Sequence, residues 1–407
     1  MDQRLRQDAD YIIQKSIQAV MPDASVKAAL AGKVFPGKIV LVAVGKAAWQ
    51  MAKAAYEILG NKITEGIVIT KYDHSQGPIG NLIIREAGHP TPDTSGFAAT
   101  GEALELVKGL TETDTVLFLL SGGGSALFEQ PLVSGEELQD ITKQLLACGA
   151  EIGEINCIRK RLSGVKGGKF ALACMPAEVY NIVLSDVLGD RLDVIASGPA
   201  YPDSTTCHDA VTVAQMYRLN LTKKAWELLK TETPKVLRNV ETIVNGSVRL
   251  LCEAAAEACR ELGYEPRILT DRLNSEAKNA GYWLAAELKK HDRPVALIAG
   301  GETVVKLTGN GKGGRNQELA LAAALGIRDM SGSAVFSIGS DGTDGPTDAA
   351  GGYVDSATAN RMEDLGILIE KVLEDNDSYH ALKLVDGLII TGPTGTNVND
   401  VAVALRR

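Results

Sequence analysis

The sequence predicts an α/β protein of two domains. Residues 1–233 form an N-terminal, Rossmann-like, doubly wound parallel sheet, and residues 234–407 a smaller C-terminal α/β domain. Three observations carry this. Apolar runs of strand length at residues 38–44, 115–120 and 179–185 have no polar alternation, as strands buried on both faces require. Each run ends in a glycine or polar turn, and helical or loop sequence follows, in the strand–loop–helix series of a doubly wound sheet. The length of 407 residues exceeds what one ordinary core supports.

Residues 1–30 read as helix, because Ile12, Ile13, Ile17 and Val20 recur at helical spacing. The first strand, 38–44, ends in Gly45-Lys46, and a helix is expected over 47–59. Residues 66–70 and 82–87 are the next strands, followed by the loop Gly88-His89-Pro90-Thr91-Pro92-Asp93. Asp93 or Thr94 can cap a helix running to Leu110. Strand 115–120 runs into Ser121-Gly122-Gly123-Gly124-Ser125, and strand 179–185 ends at Asp186. Residues 198–234 are turn-rich around one helix, and Pro234 marks the expected boundary. A second series then starts, with strands at 242–244, 266–269, 295–299, 334–338 and 387–390. Helices are expected at 248–263, 275–290 and 357–374, with a loop over 391–400.

A net charge of −9, with no basic stripe interleaved with aromatics, argues against nucleic-acid binding. Local cationic clusters can still steer a small anion. The six cysteines form no CxxC pair and no zinc spacing with histidine, so they read as reduced thiols. The N-terminus has no apolar leader core, and no apolar run reaches the roughly 18 residues of a membrane span. A soluble, cytoplasmic protein with no membrane partner is expected.

The richest stretch is 300–325. A Gly-Gly-Glu turn leads into a β-branched run, then Gly309-Asn310-Gly311-Lys312-Gly313-Gly314-Arg315, then an Ala/Leu helix from about Asn316. Such a loop aims backbone N–H groups at whatever lies above the helix start, while Lys312 and Arg315 oppose the helix dipole. An anion would compensate them. Gly309-x-Gly311-x-x-Gly314 matches the dinucleotide fingerprint in form, but the next strand carries no acidic residue at its end. Lys46, between a buried strand and a helix start, reads as a phosphate ligand or as a lysine reaching solvent. No Walker A sequence exists. The Ser121–Ser125 turn suits a phosphate or carboxylate nest, a tight turn, or a nucleophile at Ser121 without the usual elbow. Asp186, Asp190, Asp341, Asp344 and Asp348 lie in strand-end loops, where carboxylates hold Mg²⁺, accept a hydroxyl proton or only close Asx turns.

Taken together, Val44-Gly45-Lys46-Ala47, the 86–93 loop, the 120–127 turn, Ile155-Asn156-Cys157-Ile158-Arg159-Lys160-Arg161-Leu162-Ser163 before Lys166-Gly167-Gly168-Lys169, Ser185 to Asp190, Ile195-Ala196-Ser197-Gly198-Pro199, Gly300-Gly301-Glu302-Thr303, Gly313 to Glu318, Gly342 to Gly351 and Thr391 to Asp400 resemble the glycerate 2-kinase family over nearly the whole chain. Some members carry the label hydroxypyruvate reductase. Departures are small: Val304 and Asn274 replace a common threonine and glycine, and Asp73 stands where glycine is usual.

The resemblance implies ATP-dependent phosphorylation of D-glycerate at its 2-hydroxyl, with Mg²⁺ or another divalent cation, in a cleft between the two domains. The family's lysine and arginine fall on Lys46 and Arg315, and its acidic positions on Glu302, Asp186 and Asp341. On this expectation Lys46, Arg315, Asp186 and Asp341 are catalytic. Ser121, Gly122, Gly123, Gly124, Ser125, Glu302, Gly313, Gly314 and Asn316 bind substrate or phosphate. Glu302, Asp186 and Asp341 are the metal candidates. Glycerate and nucleotide are the expected small-molecule partners, an NAD(P)H-dependent hydroxypyruvate reductase is the alternative activity, and a homodimer is a candidate assembly.

Overall fold

The computed structural model describes all residues except Asp186, Leu188, Asp190 and Arg293. Two compact units emerge, one of Ser25–Asn245 and one of Met1–Ala24 with Gly246–Arg407.

The first unit holds six parallel strands: β1 (Ile39–Val44), β2 (Ile63–Lys71), β3 (Ile83–Ala87), β4 (Thr115–Leu120), β5 (Glu178–Val183) and β6 (Val240–Val244). Their spatial order is β3-β2-β1-β4-β5-β6, and every neighbouring pair is parallel. All residues of β1 and β4 are buried, which explains their unbroken apolar sequence. Val40, Val42 and Val44 share one core with Phe118 and Leu120. There Phe118, Phe128 and Phe170 meet with ring centroids 4.8–5.8 Å apart. Asp93 caps its helix as expected, accepting from Gly96 N at 2.9 Å.

In the second unit β7 (Glu265–Leu273), β8 (Val295–Gly301), β9 (Ser333–Gly339), β10 (Gly351–Asp355), β11 (Leu388–Ile389) and β12 (Asp400–Arg406) build a mixed sheet. Its order is β11-β10-β9-β12-β8-β7, and only β7–β8 is parallel. β12 runs antiparallel between β8 and β9. Neither β10 nor β12 was expected from the sequence. The β-branched run at 303–307 forms no strand and contributes only the bridge Glu276–Val304.

The expected boundary at residue 234 does not hold. Pro234 breaks a local pattern, but β6 follows it and completes the first sheet beside β5. The N-terminal helix, Gln3–Ala19, belongs instead with the second unit. Its buried Asp8 accepts from Tyr264 Oη at 2.5 Å and Arg407 Nη2 at 2.6 Å, so contacts distant in sequence decide its allegiance. Among the described residues no helix is long and apolar enough to cross a membrane.

Four helices, Gly135–Ala147, Ile152–Leu162, Cys207–Met216 and Lys223–Leu229, share a satellite core in the first unit. It is fastened by a buried ion cluster. Lys160 Nζ lies 3.1 Å and Arg161 Nη1 3.6 Å from the Asp203 carboxylate, which also accepts from Thr233 Oγ1 at 2.8 Å. Burial pushes the Asp203 carboxyl up, but Lys160 and the Thr233 and Thr205 donors outweigh this and hold it below its ordinary range. A depressed carboxyl stabilises the fold above its unfolded pKa of about 4, and that contribution is lost as pH falls through the folded value. Asp203→Ala leaves buried Lys160 without its carboxylate and buried Arg161 with only Glu232, at 3.4 Å. The expected cost, measured by urea unfolding at pH 7, is about 3–5 kcal/mol. The gap between variant and parent should narrow below about pH 4.

Candidate active site

In the first sheet the chain winds one way from β1 through β2 to β3, and the other way from β4 through β5 to β6. Ligands bind doubly wound sheets where the order reverses, at the carboxyl ends of the two central strands. Gly45-Lys46 leaves the end of β1 and Ser121-Gly122-Gly123-Gly124-Ser125 leaves the end of β4. The two turns are sewn together. Lys46 N donates to Gly122 O at 2.9 Å, and Ser121 N to Val44 O at 2.9 Å. Ala47 N donates to Ser121 Oγ at 3.1 Å, and that hydroxyl donates to Val44 O at 3.3 Å. Gly45 adopts φ +120°, and a β-carbon there would overlap the Ser121 hydroxyl and carbonyl.

Ser121 is therefore buried with its hydroxyl occupied. This corrects the expectation that it touches a ligand, and it removes the nucleophile reading. Gly122, Gly123 and Ser125 stay partly open, whereas Gly124 is buried. Gly123 has φ +88°, and a β-carbon there would stand 3.1 Å from His89 Cδ2 and 3.3 Å from Lys46 Cγ. Lys46 and His89 thus flank the open face of this turn. Burial, and then the Lys46 charge, hold the His89 imidazole below its ordinary range, so it is neutral at pH 7. The sequence placed His89 in the polar loop after β3 but assigned it no role.

In the second unit, Arg315 opens the helix Arg315–Gly326. Its guanidinium forms a two-pronged bridge to Asp400 on β12, Nε–Oδ2 at 2.6 Å and Nη2–Oδ1 at 3.0 Å. Nη1 lies 3.2 Å from Glu302 Oε1. Burial works against the Arg315 charge, but Asp400 and Glu302 outweigh it, so the pKa lies above the usual arginine value. Sequence reasoning met Asp400 only as the last residue of a loop. Asp341 sits nearby: a β-carbon on Gly339 would lie 3.2 Å from Asp341 Oδ1 and 3.5 Å from Asp400 Oδ1. Asp341 Oδ1 also closes a turn by accepting from Thr343 N at 2.9 Å.

The glycine-rich loop is not the bare N–H array the sequence suggested. Thr308 N and Gly309 N donate to Asn376 Oδ1, Asn310 N to Asp375 Oδ1, Gly311 N to Asp375 O, and Lys312 N to Asp377 Oδ1. At the helix start Asp344 accepts from Asn316 N at 3.1 Å and Gln317 N at 2.9 Å. The protein's own carboxylate supplies the anion that the helix dipole calls for. Asn316 is buried, with its amide spent on Asp344 and Ser337. Its side chain thus ties the helix start to the Asp344 loop and to β9. Gly314 is buried because its α-carbon abuts Asp344, while Gly313 remains partly open. With the N–H groups of residues 308–312 bonded to its own chain, this part of the loop does not offer the N–H cradle of a dinucleotide site.

Asp186 lies outside the described residues. Among the described residues no three His, Cys, Asp or Glu side chains form a metal-binding group.

The arrangement has known counterparts. Residues 8–230 match a domain of unknown function (DUF4147), and residues 295–400 match the MOFRL family. A protein of Thermotoga maritima named D-glycerate 2-kinase is 54% identical, over 98% of each chain. The chain belongs to the glycerate 2-kinase family. A glycerate 2-kinase of Pyrococcus horikoshii is 42% identical, over 92% of this chain and 89% of its own. The crystal structure of a Thermotoga maritima glycerate kinase superposes with a TM-score of 0.96 at 52% identity, covering 100% of both chains. Family membership accounts for the two sheets and for the long motifs at the strand ends.

Two outcomes test this geometry. Asp344→Ala strips the helix start of its cap and leaves buried donors unmatched. It should lower the unfolding free energy by about 2–3 kcal/mol in urea titration. Lys46→Ala removes a cation from beside His89, so the His89 titration followed by NMR should move upward. An unmoved midpoint would mean that the two side chains do not meet at Gly123.

Proposed function

We propose that the chain is an ATP-dependent kinase that phosphorylates the 2-hydroxyl of D-glycerate, yielding 2-phosphoglycerate and ADP. The observation that carries this is the placement of Lys46 beside the open Gly122–Gly123 turn at the sheet's reversal point. The activity named for the Thermotoga maritima and Pyrococcus horikoshii relatives agrees with it.

Phosphoryl transfer relies on alignment and charge neutralisation more than on covalent chemistry. Lys46 is the cation of the first unit proposed to neutralise the transferred group, and Arg315 the cation of the second unit proposed to contact an anionic ligand. Their settings differ. Lys46 is delivered by a backbone turn pinned through Ser121. Arg315 is aimed by Asp400 and Glu302, which fix its plane before substrate arrives. The partly open N–H groups of Gly122 and Gly123 complete the phosphate contact. Glu302 and Asp400 are both paired with Arg315, so Asp341 is the described carboxylate proposed to take the 2-hydroxyl proton. A divalent cation such as Mg²⁺ would neutralise nucleotide charge when bound. It commonly needs only one or two protein carboxylates beside phosphate oxygens, a requirement that Asp341 or Glu302 fits.

Incubation with D-glycerate, ATP and Mg²⁺ should yield 2-phosphoglycerate rather than 3-phosphoglycerate, with no hydroxypyruvate-dependent oxidation of NADH. Lys46→Ala and Arg315→Ala should each lower kcat by roughly 100-fold or more while thermal unfolding stays cooperative. Near-normal turnover in both variants would overturn the assignment.

A further inference from the structure

Three motifs that lie far apart in the sequence converge on Ser125, within the first unit. Arg159 Nη2 donates to the Ser125 carbonyl at 2.8 Å, and Lys166 Nζ donates to the same oxygen at 2.9 Å. Ser125 Oγ lies 3.4 Å from Ser197 Oγ, which in turn donates to Asn156 Oδ1 at 2.9 Å. At 3.4 Å the Ser125–Ser197 contact is long and either hydroxyl can be its donor, so the Ser125 proton is not committed to Ser197.

The charge count here does not balance. Arg159 and Lys166 share one carboxylate, Glu129, at 3.9 Å and 3.5 Å. Glu129 is fully buried and neither of its oxygens accepts a hydrogen bond from a described residue. Among the described residues two cations therefore face one anion. Lys166 is at least satisfied, since Phe128 O gives it a second acceptor at 2.9 Å. Arg159 is not. Among the described residues its only hydrogen bond is the one to Ser125, its Nε is buried without a partner, and its side chain is only 14% exposed. Burial works against the Arg159 charge and Glu129 only partly offsets it, so the pKa lies below the usual arginine value. A guanidinium left with surplus donors and surplus charge is a receptor for a planar monoanion.

The backbone beside it is strained in a way that supports a ligand role. Ala196 and Ser197 adopt φ +50° and +62°, the left-handed region, ahead of Gly198 at +66°. Non-glycine residues held there cost free energy, and such strain collects at ligand sites. It presses Ala196 toward Gly124, where a β-carbon would meet the Ala196 methyl at 2.7 Å. Arg159 thus meets, at Ser125, the same turn whose Gly123 lies against Lys46.

We propose that Arg159 and the Ser125 hydroxyl receive the carboxylate of the acceptor acid, with Ser197 and Asn156 as positioning residues. This rests on the glycerate kinase reading. One surplus positive charge suits a carboxylate better than a polyphosphate, and Lys46 with the Gly122–Gly123 turn is then left for the phosphoryl group. Arg159 would thus set specificity for 2-hydroxy acids over neutral polyols.

The test is steady-state kinetics of the full chain, varying D-glycerate and ATP separately. Arg159→Gln should raise KM for D-glycerate by roughly 50-fold, with KM for ATP within about 2-fold of the parent. Arg159→Lys should recover part of the loss. Ser125→Ala leaves the carbonyl that anchors Arg159 in place, so it serves if Arg159→Gln fails to fold. It should raise KM for D-glycerate by roughly 5-fold. A rise in KM for ATP instead, or a fall in melting temperature with both KM values unchanged, overturns the proposal. Parent enzyme that makes no 2-phosphoglycerate would sink the kinase reading itself. Normal parent activity with unchanged KM values in the variants sinks only the Arg159 assignment.

Discussion

The first unit depends on one contact, that of Ser121 with Gly45. Parallel strands buried on both faces can expose backbone only at their ends, and the reversal of strand order opens those ends between β1 and β4. The Ser121 hydroxyl bridges the opening, taking a hydrogen bond from Ala47 N and giving one to Val44 O. Only glycine at position 45 lets the serine approach so closely. Once the two turns are joined, the direction of Lys46 and the open face of Gly123 follow from backbone geometry. A serine that looked like chemistry turns out to be the fastening that lets its neighbours do chemistry.

The second unit solves a similar problem with charge. A helix start carrying Arg315 is electrostatically unfavourable, because cation and dipole oppose each other. Asp344 answers the dipole through Asn316 N and Gln317 N, and Asp400 answers the guanidinium through a two-pronged bridge. The division of labour matters. If one carboxylate served both, Arg315 would have no partner to hold its plane. With both in place the arginine is fixed and remains one-third exposed, as a residue that meets a ligand needs to be. The Asp375–Asp377 turn meanwhile takes the N–H groups of the loop's first half, up to Lys312.

Buried charge behaves differently at two places in the first unit. Around Asp203 the cations Lys160 and Arg161 are closely paired and the cluster is a fastening for the helical layer. Around Glu129 the count among the described residues is two to one, and Arg159 has the Ser125 carbonyl as its one hydrogen-bond acceptor there. Arg159, Lys160 and Arg161 are consecutive on one helix. Helical rotation turns adjacent side chains to different faces, so neighbours in sequence enter unlike surroundings. Structure and ligand recognition are thus separated by one residue.

Much of the fold was legible in the amino-acid sequence. The apolar runs of β1 and β4, the mostly apolar β5, and the capping Asp93 report local physics that a single chain segment contains. Lys46 and Arg315 stood out because a cation at a helix start opposes the dipole, and Asp341 and the glycine turns because they lie at strand ends. What the sequence could not contain was pairing at a distance. β12 enters the middle of the second sheet from the chain's end, and it alone brings Asp400 to Arg315. β6 joins the first sheet across a proline that reads as a boundary, and the first helix joins the second unit through Asp8. The reversal of Ser121 and Asn316 from candidate ligands to supports has the same cause. Whether a polar group is free for a substrate depends on which partners tertiary folding has already given it, and those partners lie 74 residues away for Ser121 and 28 for Asn316.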